Sequence, residues 1–236
     1  MPGAEVIVAL DFPSGGSALE LVDRLGGRPG FFKVGLELFT REGPAIVREL
    51  QARGHRVFLD LKLHDIPNTV AGAARAAAEL GADLLTVHAV GGPRMVAAAR
   101  GAVEGSPTRL LGVTVLTSHS SVELAEAWGR PSAVAEEEVE RLAISAVGYG
   151  AHGIVAAAGE ARRIRDRLGP EVLIVVPGVR LPGEDPGDQA RTATPAEAVS
   201  AGATYLVVGR TVTKASDPAV AAEAVRAAME RGGRSE

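Results

Sequence analysis

Eight short runs rich in aliphatic and β-branched residues recur along the chain, at 5–10, 31–36, 56–62, 83–88, 109–116, 153–157, 171–177 and 204–208. Each is followed by an amphipathic or alanine-rich stretch with helical periodicity. Parallel strands need helical crossovers, so eight β-then-α units leave two architectures, a closed (β/α)8 barrel or an open doubly wound sheet. A barrel takes about this whole length, and no linker or low-complexity segment divides the 236 residues. The chain therefore reads as α/β, a (β/α)8 TIM barrel forming a single domain over residues 1–236. Local signals agree. Ser17 with Glu20 reads as a capping box, Thr194 with Glu197 as a second one with Pro195 at the first helical position, and Gly54, Gly81 and Gly169 read as helix stops.

A barrel places its chemistry at the C-terminal ends of its strands and in the loops beyond them. The polar residues expected there are Asp11 after strand one, Lys33 in strand two, Asp60 and Lys62 in strand three, and His88 in strand four. Thr117 and Ser118 follow strand five, Pro177 and Arg180 strand seven, and Gly209 and Arg210 strand eight. Taken singly, each is more often a turn, cap or core residue; it is their convergence on one mouth that points to a site. The segment 178–193 exceeds the usual two to six residues of such a connection and reads as a lid, with Arg180 at its base and Gln189 near its far end. Barrels often hold phosphate after strands seven and eight, so Arg180, Arg210 and the backbone at Gly209 are the expected anion grip.

The densest signal is Asp60-Leu61-Lys62-Leu63-His64-Asp65-Ile66-Pro67-Asn68-Thr69. On a regular strand Asp60 and Lys62 share a face about 7 Å apart, and Asp65 in the next turn brings a second carboxylate to bracket the lysine. A strand-end ion pair followed by a helix cap is the plainer alternative. Lysine usage favours chemistry: of 25 basic residues only Lys33, Lys62 and Lys214 are lysines. Arginine does not release its proton in a protein, whereas an ammonium can.

Other classes fall away. A net charge of −4 and 3% aromatic content give no nucleic-acid face. The absence of cysteine excludes disulfides, thiolate metal sites and a cysteine nucleophile. The N-terminus runs into a strand without a basic lead, and no 18-residue apolar run occurs, so a cytoplasmic protein without membrane contact is expected. His55, His64, His88, His119 and His152 lack ligand spacing, and lysines would oppose a cation at Asp60 and Asp65, so no metal is expected. Serine-hydrolase, P-loop and dinucleotide motifs are missing in context. A Schiff-base lysine needs a neutral amine, which flanking carboxylates disfavour.

These residues resemble orotidine 5′-phosphate decarboxylases of the short bacterial type. The resemblance rests on Leu10-Asp11, Phe32-Lys33-Val34-Gly35, the string from Asp60 to Thr69, Leu116-Thr117-Ser118, Val176-Pro177-Gly178-Val179-Arg180, Gln189 and Tyr205-Leu206-Val207-Val208-Gly209-Arg210. It implies decarboxylation of orotidine 5′-monophosphate to UMP in pyrimidine biosynthesis, with no metal or organic cofactor. By the same resemblance Lys62 protonates C6, Asp60 stands beside the leaving carboxylate, and Lys33 completes the charge chain. Asp11 and Lys33 hold ribose hydroxyls, Thr117 and Ser118 read the pyrimidine edge, and Ile66 and Pro177 pack near the ring. Arg180, Gln189, Gly209 and Arg210 take the phosphate. Asp65 and Thr69 reach the neighbouring subunit's site, which implies a homodimer. One departure is Thr211, where proline is expected, a change that should loosen the strand-eight turn without removing a contacting group. The nearest rivals are Mg²⁺-dependent sugar-phosphate barrels, such as 3-keto-L-gulonate 6-phosphate decarboxylase or hexulose-phosphate synthase, which carry an acid where this chain has Lys33. A catalytically idle phospholigand-binding barrel is the non-enzymatic alternative.

Overall fold

A computed structural model describes residues 3–185, 187 and 191–233. Its strands are β1 (Glu5–Ala9), β2 (Phe31–Gly35), β3 (Arg56–Leu63), β4 (Leu84–His88), β5 (Arg109–Val113), β6 (Gly153–Val155), β7 (Leu173–Val176) and β8 (Tyr205–Val208). They pair in parallel in chain order, and β8 pairs with β1, closing the barrel and excluding the open sheet. The helices are α1 (Gly15–Arg24), α2 (Leu36–Glu42), α3 (Pro44–Ala52), α4 (Pro67–Glu79), α5 (Pro93–Ala102), α6 (Ser121–Ala127), α7 (Ala135–Gly148), α8 (Ala158–Leu168), α9 (Pro195–Ser200), α10 (Arg210–Thr213) and α11 (Pro218–Gly232). Among the described residues no helix is long and apolar enough to cross a membrane.

Strand alternation divides the core in two. One set, including Ile7, Ala9, Phe31, Phe58, Leu84, Leu111, Val175 and Val207, fills the barrel interior. The intervening residues, such as Val8, Phe32, Leu59 and Leu85, pack outward against the helices. Burying each large apolar side chain stabilises the fold by about 1.5–3 kcal/mol. At its lower end the interior is closed by Arg56, which pairs with Glu5 and lies 4.2 Å from the centre of the Phe31 ring. Because side chains repeat every second residue, the inward positions above this filling are Asp11, Lys33, Asp60 and Gly209. The period that fills the barrel thus also delivers the polar groups to its mouth.

Three local expectations change. Helix α1 is capped by Ser14, whose backbone is extended and whose hydroxyl accepts from the Ser17 N–H at 3.2 Å, so the expected Ser17–Glu20 capping box does not form. The helix starts three residues earlier than the sequence pattern suggests. The box at Thr194 and Glu197 does form, with Pro195 opening α9, and Gly54, Gly81 and Gly169 stand just beyond α3, α4 and α8. Strand β5 stops at Val113 rather than 116, because the Thr114 hydroxyl takes the Val155 carbonyl at 2.8 Å and the Arg191 guanidinium takes those of Val115 and Leu116. Strand β6 likewise ends at Val155, and Ala157 already caps α8.

Candidate active site

The mouth of the barrel holds a cavity of ≈ 540 Å³ lined by Asp11, Lys33, Asp60, Lys62, Thr117, Ser118, Pro177, Arg180, Gly209 and Arg210. Ten of the fifteen residues singled out from the sequence therefore meet in one place. A chain of alternating charge crosses its floor. Asp11 Oδ1 accepts from Lys33 Nζ at 2.8 Å, Lys33 Nζ lies 3.8 Å from Asp60 Oδ2, and Lys62 Nζ donates to that same oxygen at 2.8 Å. Gly35 makes room for this pairing. A Cβ there would lie 2.9 Å from Lys33 Nζ and 3.1 Å from Asp11 Oδ1.

Asp60 is buried, and burial alone would raise its carboxyl. Lys33 and Lys62, with hydrogen bonds from Lys62 and Thr86, outweigh that penalty and hold it below the ordinary carboxylate range. Thr86, which the sequence reading missed, is the hidden organiser: its hydroxyl donates to Asp60 Oδ1 at 2.9 Å and accepts from the Lys62 backbone N–H at 2.9 Å. It is fully buried on β4, and its polarity amid an aliphatic strand was the available signal.

Strand β3 is not regular at this point. Its register with β4 shifts between Leu59 and Leu63, and Lys62 has φ +49°, the left-handed region that L side chains rarely adopt. Such a conformation typically costs about 1–3 kcal/mol and persists where surrounding contacts over-determine it. Here the Thr86 bond to the Lys62 amide supplies one such contact, and the bulge re-aims the side chain at Asp60. The expectation of a flat strand with both residues on one face is thus corrected, although the two groups do meet.

A second correction concerns the bracket. In its own chain Asp65 is exposed and its Oδ1 accepts from the Ile66 N–H at 2.6 Å, so Lys62 is flanked by Asp60 and not by Asp65. Ile66 and Thr69 are also exposed and do not line this cavity, because Pro67 turns the chain outward into α4. Gln189 lies outside the described residues. His88, expected at the mouth, does not line this cavity; it sits 5.6 Å ring to ring from His64, and burial, then His64 and Lys62, press its imidazole below the ordinary range.

Arg180, after β7, and Arg210, after β8, line the cavity from the strands across the barrel from β3, with Gly209 between strand and helix. The base of the 178–193 segment is pinned by a parallel bridge between Val179 and Ala193, with the Arg180 N–H donating to the Ala193 carbonyl at 3.0 Å. Gly187 of this segment lies against Arg210: a Cβ on it, at φ +64°, would overlap the guanidinium. Thr211 does not loosen this region. It is buried, and its hydroxyl donates to Glu184 Oε2 at 2.6 Å, tying the strand-eight turn to the lid. Lys214 also lines the cavity, so all three lysines of the chain gather on it. The sequence reading did not make Lys214 a site residue, although the scarcity of lysine was an available signal.

No group of three or more His, Cys, Asp or Glu suited to a metal ion occurs among the described residues. Both acidic groups on the cavity are paired with lysine, a donor set that suits an anionic ligand better than a divalent cation.

Comparison with known proteins gives a consistent picture. The family model for orotidine 5′-phosphate decarboxylase / HUMPS matches residues 4–225. The chain is 52% identical to the orotidine 5′-phosphate decarboxylase of Moorella thermoacetica, covering 96% of this chain and 92% of that one. It is 54% identical to the enzyme of that name from Anaeromyxobacter sp., covering 97% and 99%. The crystal structure of orotidine 5′-phosphate decarboxylase from Lactobacillus acidophilus superposes with a TM-score of 0.84 at 37% identity, covering 96% of this chain and 99% of that one.

Proposed function

The chain belongs to the orotidine 5′-phosphate decarboxylase / HUMPS family, and from that premise we propose that it is a carboxy-lyase converting orotidine 5′-monophosphate to UMP in pyrimidine biosynthesis, with Lys62 as proton donor and no metal or organic cofactor. The observation that carries the mechanism is the Asp60 carboxylate held between the Lys33 and Lys62 ammonium groups, in a cavity that Arg180 and Arg210 also line.

A nucleotide spans that cavity in one orientation. Its phosphate meets Arg180, Arg210 and the Gly209 backbone, with Gln189 as a further partner; its ribose hydroxyls meet Asp11 and Lys33. The pyrimidine edge faces Thr117 and Ser118, with Pro177 against the ring. The substrate carboxylate then lies beside Asp60. The bond from C6 to the carboxylate breaks, CO2 leaves, and the electron pair stays on C6, where the ring delocalises it poorly. Lys62 opposes that charge and passes its proton to C6, forming the C–H bond of UMP, and recovers a proton from solvent. Two unit charges at 4 Å attract by about 4 kcal/mol at an effective dielectric near 20, a useful part of the barrier reduction expected from a preorganised group. Contacts at the phosphate, remote from C6, supply free energy for ordering the lid and excluding water.

The same reading extends to a homodimer in which Asp65, Ile66 and Thr69 complete the neighbouring subunit's site. Its support is a patch of exposed apolar side chains, Leu36 (56% exposed), Ile66 (66%) and Val90 (45%), in the segments just after β2, β3 and β4. These three strands are neighbours, so the patch lies on one side of the mouth beside Asp65.

The deciding test is an orotidylate decarboxylation assay run with and without EDTA. Turnover of orotidylate at the same rate in both is expected. A rate lost with the chelator would favour the Mg²⁺-dependent sugar-phosphate barrels, which Lys33 argues against by placing an ammonium 3.8 Å from Asp60. Loss of the phosphate grip is expected to be selective. Arg210→Ala should weaken UMP binding about ten- to a hundredfold, the worth of a charge-assisted hydrogen bond pair, while leaving uridine binding unchanged. Calorimetric titration with both ligands checks this, and an unchanged UMP dissociation constant would remove Arg210 from the grip.

A further inference from the structure

Strand β6 gives the cavity only Val155, yet the helix that follows it carries a buried charge with no role so far. Glu160, near the start of α8, is 4% exposed and pairs through Oε1 with Arg191 Nη1. The other terminal nitrogen of Arg191 donates to the Leu116 carbonyl at 3.1 Å and the Val115 carbonyl at 3.4 Å. Those two carbonyls immediately precede Thr117 and Ser118. Arg191 is also two residues from Ala193, whose bridge to Val179 fixes the base of Arg180.

We propose that Glu160 and Arg191 act as a positioning latch, holding the Thr117–Ser118 segment in register with the anion-binding end of the cavity. One guanidinium joins three elements: the segment after β5, the start of α8 and the far end of the lid. Stability alone accounts poorly for such a pair. Among the described residues Glu160 Oε2 and Arg191 Nε are buried without hydrogen-bond partners, and an under-satisfied buried ion pair is commonly no better than apolar packing. What it supplies is a fixed geometry for backbone that has left the β-ladder.

The inference rests on the reading that Thr117 and Ser118 contact the pyrimidine, and the test separates the two. Dissociation constants for UMP and CMP, which differ at the base edge, are measured for the full-length protein, Arg191→Met, Thr117→Ala and the double variant. Hydrogen exchange of the peptide covering 115–119 is followed alongside. Arg191→Met is expected to reduce the preference for UMP over CMP about tenfold, Thr117→Ala to do likewise, and the double variant to lose no more than either alone. Exchange at 115–119 should quicken in Arg191→Met, and Arg191→Lys should restore part of the preference. An unchanged UMP-to-CMP ratio in folded Arg191→Met, where Thr117→Ala changes it, or fully additive losses, overturns the latch. If Thr117→Ala itself leaves the ratio unchanged, the base-contact reading fails, and exchange at 115–119 decides the latch alone: faster supports it, unchanged overturns it. Should Arg191→Met not fold, Glu160→Gln, uncharged and of the same shape, carries the same measurements.

Discussion

Lys62→Ala is expected to lower kcat by more than about a thousandfold while UMP still binds, because the variant loses both the charge opposing the C6 carbanion and its proton source. The fold should survive the change. Asp60 keeps Lys33 at 3.8 Å and the Thr86 hydroxyl at 2.9 Å, so its buried carboxylate is not left unpaired. UMP lacks the departing carboxylate and, on the proposed reading, takes its hold through the phosphate, which the substitution does not touch. Single-turnover kinetics beside UMP titration separate the two effects. Lys62→Arg refines the result: it keeps a positive charge but does not release its protons, and it should be comparably inactive if proton delivery matters. Near-normal turnover in either variant would take residue 62 out of the chemistry.

Mixing Lys62→Ala with Asp65→Ala chains should restore activity to two preparations that are each inactive. If every site draws Lys62 from one chain and Asp65 from the other, random pairing makes about half the dimers mixed, each with one intact site, so about a quarter of the original activity returns. The reason to expect sharing lies in the geometry of β3 and its exit. Asp60 and Lys62 point into their own cavity, whereas Asp65, five residues past Asp60, is exposed and, among the described residues, bonded only to its neighbour's amide. Co-expression with two affinity tags, followed by assay of the doubly tagged fraction, measures the recovery. A mixed dimer no more active than its parents would mean that sites are complete within one chain.

Much of this was legible because barrel strands obey a period of two and barrel sites occupy one end. Their places at the C-terminal ends of strands predicted that Asp11, Lys33 and Asp60 would converge, and they do, above Ala9, Phe31 and Phe58. What escaped depends on contacts between residues far apart in sequence. The left-handed turn at Lys62 is set in part by Thr86, 24 positions away, and the early end of β5 by Arg191, 75 positions beyond Leu116. Ser17 was a plausible helix cap, but Ser14 stands where the chain is extended and so takes the amide. Thr211 looked like a loss when judged against proline; only the position of Glu184 reveals the bond it makes.

The lining of the mouth has a kinetic consequence. Among the described residues, Lys33, Lys62, Lys214, Arg180 and Arg210 face it against only Asp11 and Asp60, on a chain whose total formal charge is −4. The rest of the surface therefore repels an incoming nucleotide while this one opening attracts it, so diffusional capture becomes directional and fastest in dilute salt, slowing as added ions shrink the reach of the field to about 8 Å at physiological strength.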